Sequence, residues 1–533
     1  MPEVCLEVSG NRKERNVMKK ISLLFLMPLV SFAQSPPPGM SQRAAARILE
    51  QATWGPTTGD IAHLQAVGFD KWFAEQVSAT YSAIPSQPLL APNGNTFTNV
   101  GPLQVNFFQN ALSGQDQMRQ RLAFALSEIW VVSNIDLNNA SAFPPILRLF
   151  QSNALGSYLQ LMHDISISPA MGHYLDMANN DKANAKAGTA ANENYARELM
   201  QLFTIGLTEL NLNGSIVKDS HGNPVATYTQ DTVTNMAKVC TGWTYGLASG
   251  ATAKGHDPVY FLVPMVAVET LHDTTAKTIF GKTIPAGGTA ETDLSDALQI
   301  IFDQPTIAPF ISQQLIQHLV TSNPSAAYID RVASVFVSDS KGKRGNLQSV
   351  VYAILTDPEA RAGDKEDATA DFGHLREPVL YVANLLRGLN GQVMDSSQIY
   401  NYVISAGQNL FYPASVFSYF PPSNVANGIL APEMDLYTTQ TAVTRTGLIN
   451  NSVYGSKFDA GTTFNLTPFI TAAGSANQTQ FFDMVNLLFF HQSLSGTTKA
   501  AMETAMAIEV TPTQKAQAGL YIALTSSEFQ VIH

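Results

Sequence analysis

Apolar side chains recur with the spacing of an α-helix along most of the chain. In DQMRQRLAFALSEIWVV, Met118, Leu122, Ala125 and Ile129 fall at i, i+4, i+7 and i+11, which places them on one face of a helix. Further helical patterns occur at 141–166, 291–321, 324–338, 346–356, 374–389 and 476–490. Each amphipathic helix must bury its stripe against another element. We therefore predict a mainly α fold, a multi-helical single body.

Strand signals are few. The best is SIVKDSHGNPVATY, in which two short β-prone runs flank a Gly-Asn-Pro turn, although an ordered loop explains this segment equally well. Residues 80–100 and 245–290 are rich in Pro, Gly, Thr and Ala, which indicates long loops. The predicted helical body is thus completed by long loops and a small β-hairpin.

The composition supports a large core and argues against a nucleic-acid partner. Hydrophobic residues make up 45% of the 533 residues and charged residues 14%, so apolar material for a core is ample. The chain has 42 Asp and Glu against 31 Lys and Arg, and no basic run interleaved with aromatics. A nucleic-acid surface needs such a run to neutralise phosphates, so we expect no nucleic-acid partner.

The start of the chain is typical of a signal peptide. MKKISLLFLMPLVSFAQ begins at Met18 and combines two lysines, a short apolar run and small residues before a cut after Ala33. We predict that residues 1–33 are a signal peptide with an over-called start, the true start lying near Met18. The mature chain, 34–533, is then a single large helical domain, exported to the periplasm or outside the cell. It retains Cys240 alone, so no internal disulfide can form, and it has no apolar run long enough for a transmembrane span.

One helical segment, NENYARELMQLF, concentrates charged and amide groups. Glu193 and Arg197 share a face, as do Asn194 and Glu198, because each pair is four residues apart. Glu193 and Glu198 are roughly 140° apart around the axis, which argues against a two-carboxylate metal site on this helix alone. Since the helix continues into an apolar half, we expect Arg197 to be partly buried and to bridge a carboxylate.

Two interpretations of this helix remain open. The first is a network of ion pairs and amides that holds neighbouring helices in register. The second is a site in which Glu193 or Glu198 acts as a general acid or base, or binds an ion. His272, in LHDTT, is a third catalytic candidate because it lies in a predicted loop beside Asp273, with Lys277 close behind. A solvated loop histidine is the simpler interpretation.

Other motifs have structural explanations. In GHLREPVLYVANLLRGL, Glu377 lies at a predicted helix start, where a carboxylate complements the helix dipole, and Pro378 suits an early helical position. The chain contains no H-E-x-x-H, C-x-x-C or G-x-S-x-G motif. The sequence therefore indicates no metal site, and it identifies no cofactor.

Several segments, in order, resemble one bacterial family of exported proteins, that of the domain of unknown function 1800. They include SPAMGHYLDMANN, NENYARELMQLFTIGL, YTQDTVTNMAKVCTGW, LREPVLYVANLLRGL and LFYPASVFSYFPPS, and the resemblance covers about residues 41 to 531. It implies an exported protein of unestablished activity, often encoded beside an exported sulfatase-like partner. The family signatures fall on Asn179, Glu193, Asn194, Arg197, Glu198, Thr241, Gly242, Trp243, Arg376 and Glu377.

Two functions are compatible with these observations. The first is an exported scaffold or binding protein that acts with a partner at the envelope, in which Asn179, Asn194, Arg197, Thr241, Trp243, Arg376 and Glu377 form a binding or structural network. The second is an exported hydrolase that uses Glu193, Glu198 or His272. The absence of a recognisable nucleophile or metal motif favours the first, and whether the chain is an enzyme stays open.

Overall fold

Helices dominate the described part of the chain, which in this computed structural model comprises residues 39–248, 250–365, 373–476 and 478–532. The structure is 51% helical, with 22 α-helices and only two- or three-stranded sheets. The predicted mainly α fold is confirmed. None of these helices combines the length and hydropathy needed to cross a membrane. The predicted signal peptide lies outside the described residues.

The first half of the body is built from short to medium helices. They are α1 (Gln42–Ala52), α2 (Thr58–Val67), α3 (Phe69–Ser78), α4 (Gly101–Ser113), α5 (Gln117–Ile129), α6 (Asn134–Leu137), α7 (Phe143–Asn153), α8 (Tyr158–Ser166), α9 (Pro169–Tyr174), α10 (Asn194–Gln201) and α11 (Gln230–Val239).

The second half continues the same pattern. Its helices are α12 (Ala290–Phe302), α13 (Ile307–Leu319), α14 (Ala326–Val337), α15 (Leu347–Thr356), α16 (Pro378–Gly388), α17 (Tyr400–Ser405), α18 (Thr439–Tyr454), α19 (Thr467–Ala473), α20 (Thr479–Phe490), α21 (Gly496–Ala507) and α22 (Pro512–Thr525).

The strands are two or three residues long and pair antiparallel. They are β1 (Trp243–Thr244) with β2 (Val266–Ala267), β3 (Lys277–Ile279) with β4 (Lys282–Ile284), β5 (His374–Leu375) with β11 (Val531–Ile532), β7 (Val425–Ala426) with β8 (Ile429–Leu430), and β10 (Thr462–Thr463) between β6 (Gln392–Val393) and β9 (Lys457–Asp459).

The regular hairpin and the best strand signal are in different places. β3 and β4 are joined by Phe280 and Gly281, both at positive φ, which is the geometry of a tight two-residue hairpin turn. The segment SIVKDSHGNPVATY forms isolated bridges, Leu210 to Ile216 and Lys218 to Pro224, without a regular strand. Its Gly-Asn-Pro turn closes as predicted, but the runs beside it are too short and too exposed to extend a ladder.

Local sequence signals explain the helices around the core. Thr229 caps α11 in a capping box, as its position before the apolar run predicts. The predicted stripe of α5 is buried, and α5 packs against α1, α3, α7 and α13. All eleven residues of α16 are buried, so this helix runs through the interior. Polar side chains on α5, α13 and α16 are consequently held inside the body.

Candidate functional site

The polar helix α10 forms a surface ion pair. Glu193 Oε2 lies 3.0 Å from Arg197 Nη2, and the same carboxylate accepts hydrogen bonds from Gln230 Nε2 and Thr234 Oγ1 of α11 at 2.9 Å. The hydrogen bond from Gln230 is the main reason that the pKa of Glu193 is lowered. The predicted pairing of Glu193 with Arg197 is confirmed. Arg197 is partly buried, as predicted, but its side chain is still 39% exposed at the edge where α10 meets α11, so the ion pair lies at the surface.

Glu198 lies apart from Glu193, as their helical spacing predicts. Its Oε2 is buried and accepts no hydrogen bond from any described residue, and burial raises the pKa of Glu198 against the opposing charge of Arg197. Asn194 Nδ2 donates to Asp176 at 3.2 Å on the exposed side of the helix. The carboxylates of this helix therefore do not form a joint site.

His272 is buried, and its side chain is 0% exposed, so the predicted solvated loop histidine is wrong. Its Nδ1 lies 2.9 Å from the carbonyl oxygen of Thr241, and its Nε2 lies 3.1 Å from Asp293 Oδ2. Lys277 Nζ, also buried, lies 2.5 Å from the same Asp293 oxygen. Gly242 packs so closely on His272 that a Cβ would come within 2.9 Å of the His272 backbone nitrogen. Two loops that look solvated in the sequence thus fold over each other.

The remaining signature residues of this region support the same junction. Asn179 has a positive φ, its Oδ1 accepts from Thr244 Oγ1 at 2.6 Å, and its backbone N–H donates to the Trp243 carbonyl at 2.7 Å. Thr241 Oγ1 accepts from the Asp273 backbone N–H at 2.9 Å. Asn179, Thr241 and Trp243 therefore hold loops together.

A second polar cluster, whose members the sequence does not bring together, lies inside the body. Glu128 near the end of α5, His318 in the last turn of α13 and Glu377 at the N-cap of α16 each offer one atom, and these atoms lie within 4.8 Å of one another. The side chain of Glu128 is 1% exposed, whereas that of His318 is 16% exposed. We call these three residues the acidic centre. His318 is its member nearest to solvent.

Gln408 holds the two carboxyl groups in place. Its Nε2 donates to Glu377 Oε2 at 2.5 Å and to Glu128 Oε1 at 3.2 Å, while its Oε1 accepts from the Val379 backbone N–H at 2.9 Å. The other oxygens, Glu128 Oε2 and Glu377 Oε1, are buried and accept no hydrogen bond from a third described residue, so the remaining hydrogen bond of this pair runs between the two carboxyl groups themselves. His318 Nδ1 approaches Glu128 Oε2 at 3.3 Å. Each carboxyl group therefore has one oxygen fixed and one available.

Arg121 places a positive charge beside the acidic centre. It precedes Glu128 by seven residues and so shares a face of α5 with it. Its guanidinium is buried and donates to the carbonyl oxygen of His318. The charges of Glu377 and Glu128 both act on it. Two carboxyl groups against one guanidinium leave room for one further positive charge, supplied by a proton or a cation.

The pKa shifts follow from this balance. Burial raises the pKa of Glu128 to about 7, against the hydrogen bond with Glu377 and the charge of Arg121. Burial, reinforced by the charge of Glu128, raises the pKa of Glu377 well above its usual value. Burial lowers the pKa of His318. Near neutral pH the two carboxyl groups therefore share a proton and His318 is neutral.

A neighbouring buried pair is fully compensated and has a structural role. Arg376 Nε donates to Glu50 Oε1 at 2.9 Å, Asn384 Nδ2 donates to Glu50 Oε2 at 2.7 Å, and His491 Nε2 lies 3.4 Å from the same oxygen. Burial alone would raise the pKa of Glu50, but the charge of Arg376 and the hydrogen bond of His491 outweigh it and lower that pKa to about 2. Arg376 thus belongs to a structural network, whereas its neighbour Glu377 belongs to the acidic centre.

A second compensated pair is formed by Glu433 and His374. Glu433 Oε1 is 3.3 Å from His374 Nδ1, and Ser322 Oγ donates to Glu433 Oε2 at 3.3 Å. Burial raises the pKa of Glu433, but the hydrogen bond and charge of His374 outweigh burial and lower it. The acidic centre differs from both pairs because its charges are not matched one to one.

The sequence carried a weak signal for this centre. Glu128 interrupts AFALSEIWVV and His318 interrupts LIQHLV, and a lone ionisable group in an apolar helical run needs a partner. Nothing in either segment says that the partner is Glu377 or that Gln408 joins them. That convergence depends on how α5, α13 and α16 meet.

The comparisons with known proteins show a family and no further function. No curated protein and no solved structure is significantly similar to the chain. A family model described as "Protein of unknown function (DUF1800)" matches residues 47–531, which include the acidic centre and nearly the whole described body. This confirms the resemblance found in the sequence motifs, and the chain belongs to the DUF1800 family.

Proposed function

We propose that the protein binds a divalent cation at Glu128, His318 and Glu377 and acts as an exported binding protein. The observation that supports this proposal is the convergence of two carboxylate oxygens and one imidazole nitrogen within 4.8 Å. Mixed nitrogen and oxygen ligands suit Zn²⁺ or Mn²⁺ better than Ca²⁺ or Mg²⁺, which prefer oxygen alone. We therefore assign the site to a first-row divalent metal ion.

The three candidate ligand atoms are arranged almost as they would be around a bound ion. Ligand atoms at about 2.1 Å from a tetrahedral ion lie roughly 3.4 Å apart, so side-chain movements of about 1 Å would bring the three atoms together. The free oxygens of Glu128 and Glu377 are available for this, while Gln408 keeps the other two in place. A cation would replace the shared proton, so binding should release a proton and strengthen as pH rises.

Metal analysis and titration calorimetry test this proposal. Metal-free protein should bind about one equivalent of Zn²⁺ or Mn²⁺, and Glu377→Gln and His318→Ala should each weaken binding at least tenfold. The exposed Glu503→Gln, whose side chain is 54% exposed in the structure, is the matched control and should bind as the unaltered protein does. Unaltered protein that binds neither ion, or centre variants that bind like the control, would refute the site.

An exported hydrolase is the second candidate function, and the raised pKa of Glu128 in the acidic centre supports it. A carboxyl group with a pKa of about 7 is suited to general acid–base catalysis near neutral pH. Glu128 and Glu377 fit this role better than Glu193 and Glu198, which lie apart. A screen of ester, phosphate and glycoside substrates tests it, because any activity found must disappear in Glu128→Gln.

Export and the partner are further parts of the proposal. The composition of residues 18–33 supports a signal peptide, and the family resemblance supports an exported sulfatase-like partner. N-terminal sequencing of the protein from its native host should find a start at or near Gln34. Affinity purification from the native envelope should recover the partner. Retention of residues 1–33 in the exported fraction would contradict export by this route, and recovery of no sulfatase-like protein would contradict the partner.

A further inference from the structure

A cavity of about 100 Å³ lies between α4, α5 and α7, under the loop at 410–419. Each helix turns one stripe toward it. The stripe of α4 contains Leu103, Asn106, Phe107 and Asn110, that of α5 contains Gln120, Ala123, Phe124 and Ser127, and that of α7 contains Phe143, Ile146, Leu147 and Phe150. On α5, Gln120, Ala123 and Ser127 keep some exposure while the rest of the helix is buried, so the cavity connects to solvent along this stripe.

The walls are aromatic and tightly supported. Phe107 and Phe124 have ring centroids 5.8 Å apart, and Trp54 packs behind both at 4.9 Å and 5.6 Å. On the other side, Phe143 packs on Phe411 of the covering loop at 5.3 Å. These rings pack against one another. The cavity between them therefore cannot close unless several rings move together.

The polar groups at the cavity are already bonded to protein. Gln120 Nε2 donates to Asp116 at 2.8 Å and to the Asn110 carbonyl at 3.2 Å, while its Oε1 accepts from Trp54 Nε1 at 3.3 Å. Gln151 Nε2 donates to the Ser82 carbonyl at 2.8 Å. None of the described side chains that line the cavity is charged. A ligand in the cavity therefore contacts apolar surface and polar groups whose hydrogen bonds are already made to the protein.

We propose that this cavity binds an uncharged apolar molecule, or the apolar end of one, no larger than about one aromatic ring. An apolar cavity of roughly 150 Å³ can take benzene, and this one is of the same order. A charged ligand would lose its hydration without gaining a partner. The site is independent of the cation proposal, because it involves a different face of α5.

The cavity nevertheless lies close to the acidic centre. The cavity stripe and the Arg121–Glu128 stripe lie roughly 100° apart around α5. Tyr419 lines the cavity, and the charges of Glu128 and Glu377 add to burial in raising the pKa of Tyr419. Only the width of α5 would thus separate a molecule bound in the cavity from the acidic centre.

Thermal unfolding with benzene as the probe tests the cavity. Benzene should raise the Tm of the unaltered protein by about 1–2 °C, whereas benzoate at the same concentration should not. Ala123→Leu fills the cavity and should abolish the benzene shift. Ala501→Leu, the same change on an exposed face of α21, should retain it.

Each outcome of the benzene experiment either supports or overturns the cavity proposal. The absence of a benzene shift in the unaltered protein, an equal shift with benzoate, or a shift that survives in Ala123→Leu would each overturn the proposal. If Ala123→Leu does not fold, Ser127→Val narrows the same space, and xenon-pressurised crystals of the unaltered protein must show density between Phe107 and Phe143. Since none of these measurements involves a metal, failure of the cation site would leave them unchanged.

Discussion

Glu128→Gln should change how stability depends on pH. The amide cannot titrate, but it keeps the shape of the side chain and can still accept the hydrogen bond from Gln408. The pKa of Glu128 rises from 4.5 in the unfolded chain to about 7 in the folded protein, so the folded state binds the extra proton between these values. A raised carboxyl pKa contributes stability at low pH, and this contribution is lost as pH rises through about 7.

The size of the effect follows from the shift. A change from 4.5 to about 7 corresponds to about 3 kcal/mol at 1.36 kcal/mol per pH unit. Compared with Glu128→Gln, the unaltered protein should therefore lose about 3 kcal/mol of unfolding free energy between pH 4.5 and pH 7.5. His318 contributes with the opposite sign, since burial lowers its pKa. Because Glu128 also raises the pKa of Glu377, the difference between the two proteins reports the coupled titration of the two carboxyl groups.

Urea unfolding in the presence of EDTA, at half-unit pH steps, measures this difference without interference from a cation. Glu503→Gln is again the control, because an exposed carboxyl group should give curves parallel to those of the unaltered protein. Parallel curves for the unaltered protein and Glu128→Gln would show that the pKa of Glu128 is not raised. The account of the acidic centre as a shared proton would then be wrong.

Three further substitutions test the networks by urea unfolding. His272→Ala removes a buried side chain that contacts the Thr241 carbonyl and Asp293, and should cost about 2–4 kcal/mol, whereas His221→Ala on the surface should cost under about 0.5 kcal/mol; equal effects would contradict the burial of His272. Arg197→Ala removes an exposed ion pair and should cost no more than about 1 kcal/mol, so a loss of several kcal/mol would restore the buried-network interpretation. Arg376→Met leaves a buried glutamate without its cation and should cost about 3–5 kcal/mol; a stability near that of the unaltered protein would show that the pair is dispensable.

The helices could be predicted from the sequence because their signals are local. The stripe from Met118 to Ile129 and the cap at Thr229 depend on residues within a few positions of each other, and both have the expected geometry. The contact of Arg197 with Gln230 could not be predicted, because it follows from where α11 packs against α10. The burial of His272 could not be predicted for a similar reason, since the composition of a loop does not show that another loop covers it.

The acidic centre required information that no single segment contains. The sequence predicts Glu377 at a helix start, and the structure confirms that position at the N-cap of α16. The raised pKa of Glu377 arises first from burial by helices that pack only in the folded body, and then from Glu128, which is far away in the sequence. A pattern search over short windows finds each residue separately and cannot join them.

The wide spacing of Glu128, His318 and Glu377 along the chain has a consequence for how the protein matures. Entropy opposes the joining of distant segments, so contacts of this kind form late in folding. An incomplete chain would hold at most part of the centre, and a fragment that ends before Glu377 would lack this carboxyl group altogether. Binding of the proposed cation would then require the completely folded chain, and would draw on the metal available in the compartment where folding ends.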